Sequence, residues 1–313
     1  YFQDSEYFLP EQLLFIGDEC HNYANANLLT KLNLLSRFRL GLSATAFDDE
    51  YNKSSDEKEM ENYFGEICHR YSLKDGIDDG YLSKYTYHPK LCYLEPDEFR
   101  KWKDYLDKYE NFTNYKEADP NNKAFKRMED VIDSCKDKYI EFNQLIKKID
   151  EKEYAIIFSG QEKVDGERCI DFVARNLEKN NWRSQRITAE ETPKERRNTI
   201  YGFQRGDIQS ICAIRVLDEG IDIPAIKKAI ILASSKKRRQ FIQRRGRVLR
   251  RDDDKDLAVI YDFIIVPPAS FTEQGKVLIE REMGRVEEMG QDAENKKEIE
   301  DFMKSYRGLY EPV

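Results

Sequence analysis

Tyr154-Ala155-Ile156-Ile157-Phe158-Ser159 is an unbroken apolar run, and the pattern downstream of it decides the fold. A short run without polar alternation reads as a strand buried on both faces, as parallel sheets require. Val164–Lys179 then carries apolar residues at helical spacing, and Gln185–Thr188 reads as a short strand. Pro193–Phe203 reads as a helix, and Gln209–Ile214, Ala229–Ala233 and Leu257–Val266 read as strands. Strands alternating with helices predict an α/β architecture, a parallel sheet covered on both faces. Glu273–Arg307 predicts charged C-terminal helices packed back onto that sheet.

Working upstream, residues 95–152 are rich in Lys, Asp, Glu and Tyr. Val131, Ile132, Cys135, Tyr139, Phe142, Leu145, Ile146 and Ile149 recur at helical spacing, so two or three amphipathic helices are expected, broken near Asp119-Pro120-Asn121-Asn122. Spacing two domains is the simpler role for such an insert. Trp102, Tyr105, Tyr109, Phe112 and Tyr115 fit a helix core stripe better than a base-stacking surface. Tyr85–Leu94 alternates enough to be a strand closing a first sheet, and the chain after Glu57 reads as helical to about Arg70. The domain reading is therefore 1–94, 95–152 (helical insert), 153–266 and 267–313.

Near the start, Leu13–Gly17 reads as a buried strand ending at Asp18-Glu19-Cys20-His21. Open α/β sheets place ligands at the C-terminal ends of strands. Adjacent carboxylates there suit magnesium, one holding the ion and the next orienting an attacking water. An acidic loop after a strand is the bland alternative. Phe38–Leu42 reads as a second strand ending in Ser43-Ala44-Thr45, small hydroxyl residues that can link two sites or simply cap a helix.

At the other end, Gln240–Arg250 places Arg244, Arg245, Arg247 and Arg250 on a short predicted helix, with Gly246 where backbone must come close to something. Guanidinium forks match phosphate oxygens two at a time, so several on one helix suit a polyphosphate, against the alternative of a solvated basic face. In Val216–Pro224, Gly220 permits a tight turn and Asp222 suits a ribose hydroxyl, against the reading of a purely structural turn.

A net charge of −8 argues against a uniformly basic nucleic-acid binder, while residues 236–251 hold nine Lys or Arg and no acid, so a polyanion would meet a patch. Six scattered cysteines without a Cys-x-x-Cys pair are the pattern of reduced thiols, not of a disulfide framework or zinc site. With no signal peptide and no membrane-length apolar run, a soluble, cytoplasmic protein is expected.

Taken together, Asp18-Glu19-Cys20-His21, Ser43-Ala44-Thr45, Asp218–Pro224 and Gln243–Arg250 stand in the order and spacing of superfamily 2 helicases. The chain resembles the branch of type I and III restriction translocases and XPB-type helicases. Each motif is weak alone; four in register are not. The resemblance implies the C-terminal part of a first RecA-like domain, the helical insert, and a complete second RecA-like domain, which together sandwich ATP and magnesium. It implies that Asp18 holds magnesium, Glu19 is the general base and also lies at the metal, and His21 couples nucleotide state to the second domain. Cys20 is a position where variants are tolerated. Ser43 and Thr45 would link hydrolysis to strand movement. Gly220 and Asp222 would meet the ribose or the cleft, Gln243 and Arg244 would belong to the nucleotide site, and Arg247 and Arg250 would be arginine fingers, worth about 10³–10⁵ in rate. Phosphate contacts would make recognition sequence-tolerant and salt-sensitive.

Two departures shape this expectation. No Gly-x-x-x-x-Gly-Lys-Ser/Thr occurs in the 313 residues, so the chain reads as a fragment with little or no ATPase of its own, the phosphate loop being supplied from upstream or by a partner. Ile214 and Arg215 stand where the RNA-binding DEAD-box branch carries a hydroxyl, which favours DNA over RNA. Restriction-related relatives suggest other subunits of a defence or repair complex, by analogy. The alternative from another class is a non-catalytic interaction scaffold. A nuclease using Asp18, Glu19 and Asp252-Asp253-Asp254 fits poorly, because a solvated turn explains the last three.

Overall fold

The structure is a computed structural model and describes residues 13–24, 29, 36–47, 53–110, 112, 114–115, 118–119, 121–214, 226–233, 245–252, 255–269 and 272–309. These fall into two compact units, one within Tyr1–Ser72 and one within Leu73–Lys237 and Arg244–Val313.

In the first unit, β1 (Leu14–Gly17) pairs in parallel with β2 (Phe38–Gly41), Leu14 opposite Phe38 and Gly17 opposite Gly41. Helix α1 (Ser55–Phe64) starts at a reciprocal cap: the Glu57 N–H donates to Ser54 Oγ at 3.2 Å, and the Ser54 N–H donates to Glu57 Oε2 at 2.9 Å. It ends at Gly65, whose φ of 91° suits glycine. Met60 and Tyr63 of this helix join Cys20, Leu29 and Phe47 in a small core, with Phe15 and Phe64 against it. The buried strand expected at Leu13–Gly17 is corrected. Leu14 and Ile16 are 56% and 53% exposed, because only the Phe15 face of the two-stranded sheet meets the aromatic core.

The second unit is built on a six-stranded, all-parallel sheet. Its strands are β3 (Lys84–Tyr93), β4 (Ala155–Phe158), β7 (Ser184–Ile187), β8 (Ser210–Ala213), β9 (Lys228–Ile231) and β10 (Leu257–Val266), in the order β3-β10-β9-β4-β8-β7. A short helix, α2 (Leu73–Asp78), leads into β3. Every residue of β4, β8 and β9 is buried, as a sheet covered on both faces demands. The expectation that Tyr85–Leu94 closes a first sheet is corrected: this strand is the edge of the main sheet, paired along ten residues with β10. Periodicity identifies a strand but not its partner.

The helices expected as a spacer supply core instead. Helix α3 (Pro96–Asp107) buries Phe99 and Trp102, α4 (Lys123–Asp133) buries Met128 and Ile132, and α5 (Lys136–Lys148) buries Tyr139 and Phe142. All six side chains join one cluster with Ile157, Ile230 and Ile265 of the sheet, each fully buried one contributing roughly 1.5–3 kcal/mol. The core reading of the aromatic stripe holds for Trp102, whose Nε1–H donates to the Tyr115 hydroxyl at 3.1 Å, although α3 ends before Tyr109.

The helix expected over Val164–Lys179 is shorter. A hairpin, β5 (Lys163–Val164) with β6 (Glu167–Arg168), precedes α6 (Cys169–Lys179). Asp165 and Gly166 at φ 49° and 84° make its turn, an Asp-Gly pair that favours such geometry. Helix α7 (Pro193–Gln204) comes after β7, with a reciprocal Thr192–Glu195 cap.

Helices α8 (Thr272–Gly290) and α9 (Lys296–Gly308) pack on the sheet as expected. β10 runs past its neighbour β9, and the C-terminal helices take up its end: Ile265 N–H donates to Glu282 Oε2, and Tyr306 O–H donates to the Ile265 carbonyl, both at 2.9 Å.

Candidate nucleotide-hydrolysis residues and the relatives they share

β1 delivers Asp18 and Glu19 at its C-terminal end, and a 3-10 turn over Cys20–Tyr23 comes at once. The Leu42 N–H donates to the Gly17 carbonyl and the Cys20 N–H to the Leu42 carbonyl, so the two strand ends stay zipped where the acidic pair emerges. Gly41 keeps this junction tight: a Cβ would lie 3.0 Å from Cys20 Sγ and from the Phe64 ring, so those side chains would have to give way. The Glu19 N–H donates to Asp18 Oδ1 at 3.0 Å. Glu19 sits at φ 47°, a left-handed conformation costing a non-glycine residue about 1–2 kcal/mol.

His21 is buried, and its Nδ1 lies 2.9 Å from Ser43 Oγ and 3.3 Å from Glu19 Oε2. Ser43 Oγ also accepts the Thr45 N–H at 3.1 Å. The serine hydroxyl therefore has its proton available for an unprotonated Nδ1, whereas a ring carrying Nδ1–H donates to Ser43, with the Glu19 carboxylate close beside it. Asp18, Glu19, His21, Ser43 and Thr45 thus form one connected group.

Among the described residues no cluster of three or more His, Cys, Asp or Glu could hold a metal ion. Magnesium commonly takes only one or two carboxylates and fills its remaining positions with water and phosphate oxygens. Asp18 and Glu19 are such a partial oxygen set.

The arginines belong to the second unit. A helical turn covers residues 245–248, and Arg250 beyond it forms a bridge to Leu82. They do not all converge. Arg245 is buried, its Nη1–H donating to the Glu288 carbonyl of α8 at 2.8 Å, and Arg251 donates to the Gly80 carbonyl at 2.7 Å. Arg247 is half-buried and Arg250 exposed. Val248 and Leu249 are buried. The close approach expected at Gly246 is corrected as far as protein is concerned, since a Cβ there would meet nothing within 4 Å. Gly220, Asp222, Gln243 and Arg244 lie outside the described residues.

Sequence reasoning missed Lys255, which is 4% exposed and donates from Nζ to the carbonyls of Val248 and, at 2.9 Å, Arg250. Burial draws its pKa down to about 8, with Asp252 pulling upward. A lysine in an acidic turn carries no signal of burial. All six cysteines are free; Cys68 is exposed and the other five buried, with burial pushing Cys135, Cys169 and Cys212 up to about 12.

A six-stranded parallel sheet covered on both faces by helices is the fold of RecA-like helicase domains. Residues 137–252 match the family described as helicase conserved C-terminal domain. The chain is 25% identical over 286 residues to DNA 3'-5' translocase XPB2 of Sulfurisphaera tokodaii, covering 82% of this chain and 61% of that one. It is 26% identical over 254 residues to a protein numbered helicase 22 of Sulfolobus islandicus filamentous virus, covering 80% of this chain and 42% of that one. It therefore spans about two fifths to three fifths of these relatives' lengths. Among solved structures, the ATP-dependent Type ISP restriction-modification enzyme LlaBIII bound to DNA shares the fold, with a TM-score of 0.51 and 17% identity over 92% of this chain and 21% of that one. The chain is thus similar in sequence to superfamily 2 helicases and translocases, with a helicase C-terminal domain over residues 137–252. Among the described residues no helix is long and apolar enough to cross a membrane.

Proposed function

We propose that this chain is part of an ATP-dependent motor that moves along DNA, using magnesium-ATP. The observation that carries the reading is the linkage of Glu19, His21 and Ser43, which an ordinary acidic loop has no need of. In it, Asp18 and Glu19 meet magnesium, Glu19 takes the proton of the attacking water, and His21 passes the change at Glu19 to Ser43 and Thr45. Bound magnesium supplies charge neutralisation at the phosphates. Arg247 and Arg250 stabilise charge on the γ-phosphoryl group as it transfers. Gly220, Asp222, Gln243 and Arg244 complete the nucleotide site by the family resemblance. The first unit, within residues 1–72, is part of a first RecA-like domain; the six-stranded unit that begins at Leu73 is the second, with β3 on its edge and 95–152 and 267–313 bracing it. The track is DNA because the XPB2 relative is a DNA translocase and Ile214 stands where RNA-binding relatives carry a hydroxyl.

The motor reading needs a phosphate-cradling loop, and no Gly-x-x-x-x-Gly-Lys-Ser/Thr occurs in these residues. We place it in an upstream segment, and expect the 313 residues alone to hydrolyse little ATP. The test is phosphate release by the intact parent protein with duplex DNA, single-stranded DNA, RNA and no polymer, beside Glu19→Gln. Stimulation by DNA, reduced at least about 10²-fold in the variant, is expected, the scale of removing a positioned general base. A folded protein with no turnover on any polymer would move the conclusion to a non-catalytic scaffold.

A further inference from the structure

We infer that Lys255 is a positioning residue for the arginine turn, its ammonium group fixing the backbone from which Arg247 and Arg250 are presented. This rests on the motor reading above. Carbonyls at the end of a helical turn lack partners within the helix. Here the carbonyls of Val248 and Arg250 both accept from Lys255 Nζ, and the carbonyl between them, Leu249, accepts the Ser83 N–H at 2.8 Å. Three successive carbonyls are thereby held, two by one buried cation. The next residue is tied as well, by Arg251 to the Gly80 carbonyl. The Val248 carbonyl belongs to the residue immediately after Arg247, and the Arg250 carbonyl is that arginine's own.

A buried lysine is costly, and packing alone would be served better by an apolar residue. What an ammonium adds is a donor able to bind two carbonyls at once. A cation at a helix C-terminus also opposes the negative end of the turn. The turn and its fastening both lie in the second unit, so the device is independent of any arrangement of the first. Arginine fingers act only when the guanidinium reaches the transferring phosphoryl group, and a misplacement of about 1 Å is sufficient to cost 10²-fold.

The experiment is steady-state ATP hydrolysis by the intact parent protein with saturating duplex DNA, comparing wild type, Lys255→Met, Lys255→Arg and Arg250→Ala, with a thermal unfolding curve for each. Lys255→Met is expected to lower kcat about 10²-fold with KM for ATP within about twofold of wild type, because the finger acts in the transition state. Lys255→Arg, which keeps a charged donor, is expected to recover part of that loss. If Lys255→Met shows no cooperative unfolding, Lys255→Gln replaces it with the same expectation. Wild-type kcat in the folded Met or Gln variant, while Arg250→Ala is inactive, overturns the role of Lys255 and leaves the motor reading standing. A rise in KM with kcat unchanged also overturns it. Wild-type turnover in Arg250→Ala, or none in wild type, overturns the motor reading and this role with it.

Discussion

Glycine 246 stands between Arg245, turned into the protein, and Arg247, turned away from full burial. A Cβ at that position meets no protein atom within 4 Å, and the residue lies in a helical turn. Alanine is the better helix former by about 1 kcal/mol, so Gly246→Ala should leave stability unchanged or raise it slightly. If the backbone there approaches a phosphate, the same substitution should still cut ATP turnover by about tenfold or more, as removing about 1.4 kcal/mol of transition-state stabilisation does. Urea denaturation and phosphate release on one preparation separate the two effects; turnover equal to wild type would remove Gly246 from the site. At Glu19 the backbone itself is the unusual feature, because a left-handed glutamate persists only where its surroundings fix it, here the Asp18 carboxylate, the His21 ring and the zipped strand ends.

At the scale of elements, the joint between β10 and α8 is a buried charge network. Arg285 donates to both carboxylate oxygens of Asp262, Tyr87 O–H donates to Asp262 Oδ2 at 2.9 Å, and Arg281 reaches Glu129 at 2.7 Å. Burial alone would raise the Glu282 pKa, but Arg285 and Arg281 beside it bring it below the ordinary value of 4.5. Removing one partner from such a network leaves a buried charge uncompensated, so Glu282→Ala should cost about 3–5 kcal/mol in urea denaturation. A depressed carboxylate contributes stability that is complete above its unfolded pKa and is lost as pH falls through the folded one. The difference between wild type and Glu282→Gln should therefore be constant above about pH 5 and shrink below pH 4.5; a constant difference down to about pH 3 would contradict it. Elements of this kind were only partly legible in the sequence. The apolar runs of β4, β8, β9 and β10 announced themselves because both faces are buried. Nothing local in Tyr85–Leu94 says that its partner is 173 residues away, Leu257 opposite Lys84. Asp165-Gly166 did carry a hairpin signal, masked by the apolar spacing around it. Asp18, Glu19 and His21 were readable as a motif, whereas Lys255 was not, since its burial depends on where 80–83 and 248–250 meet.

On the scale of the whole molecule, described residues divide at Ser72–Leu73, and residues 66–72 are exposed without helix or strand. Such segments are the preferred sites of nicking. Brief trypsin treatment should cut after Arg70 before any described helix or strand, leaving a fragment from Tyr71 that keeps the six-stranded sheet; N-terminal sequencing and mass measurement identify it, and first cleavage inside β4 or α6 would contradict this. β3 also sets a timetable. Its ten-residue pairing with β10 closes a separation that costs loop entropy before it returns any contact, and such pairings form slowly. During synthesis, at roughly 5–20 residues per second, Tyr85, Tyr87 and Cys92 leave the ribosome long before residues 257–266 exist to cover them. The edge that anchors the arginine turn is thus translated well before the strand that covers it, so the newborn chain carries an uncovered apolar strand throughout the synthesis of everything between them.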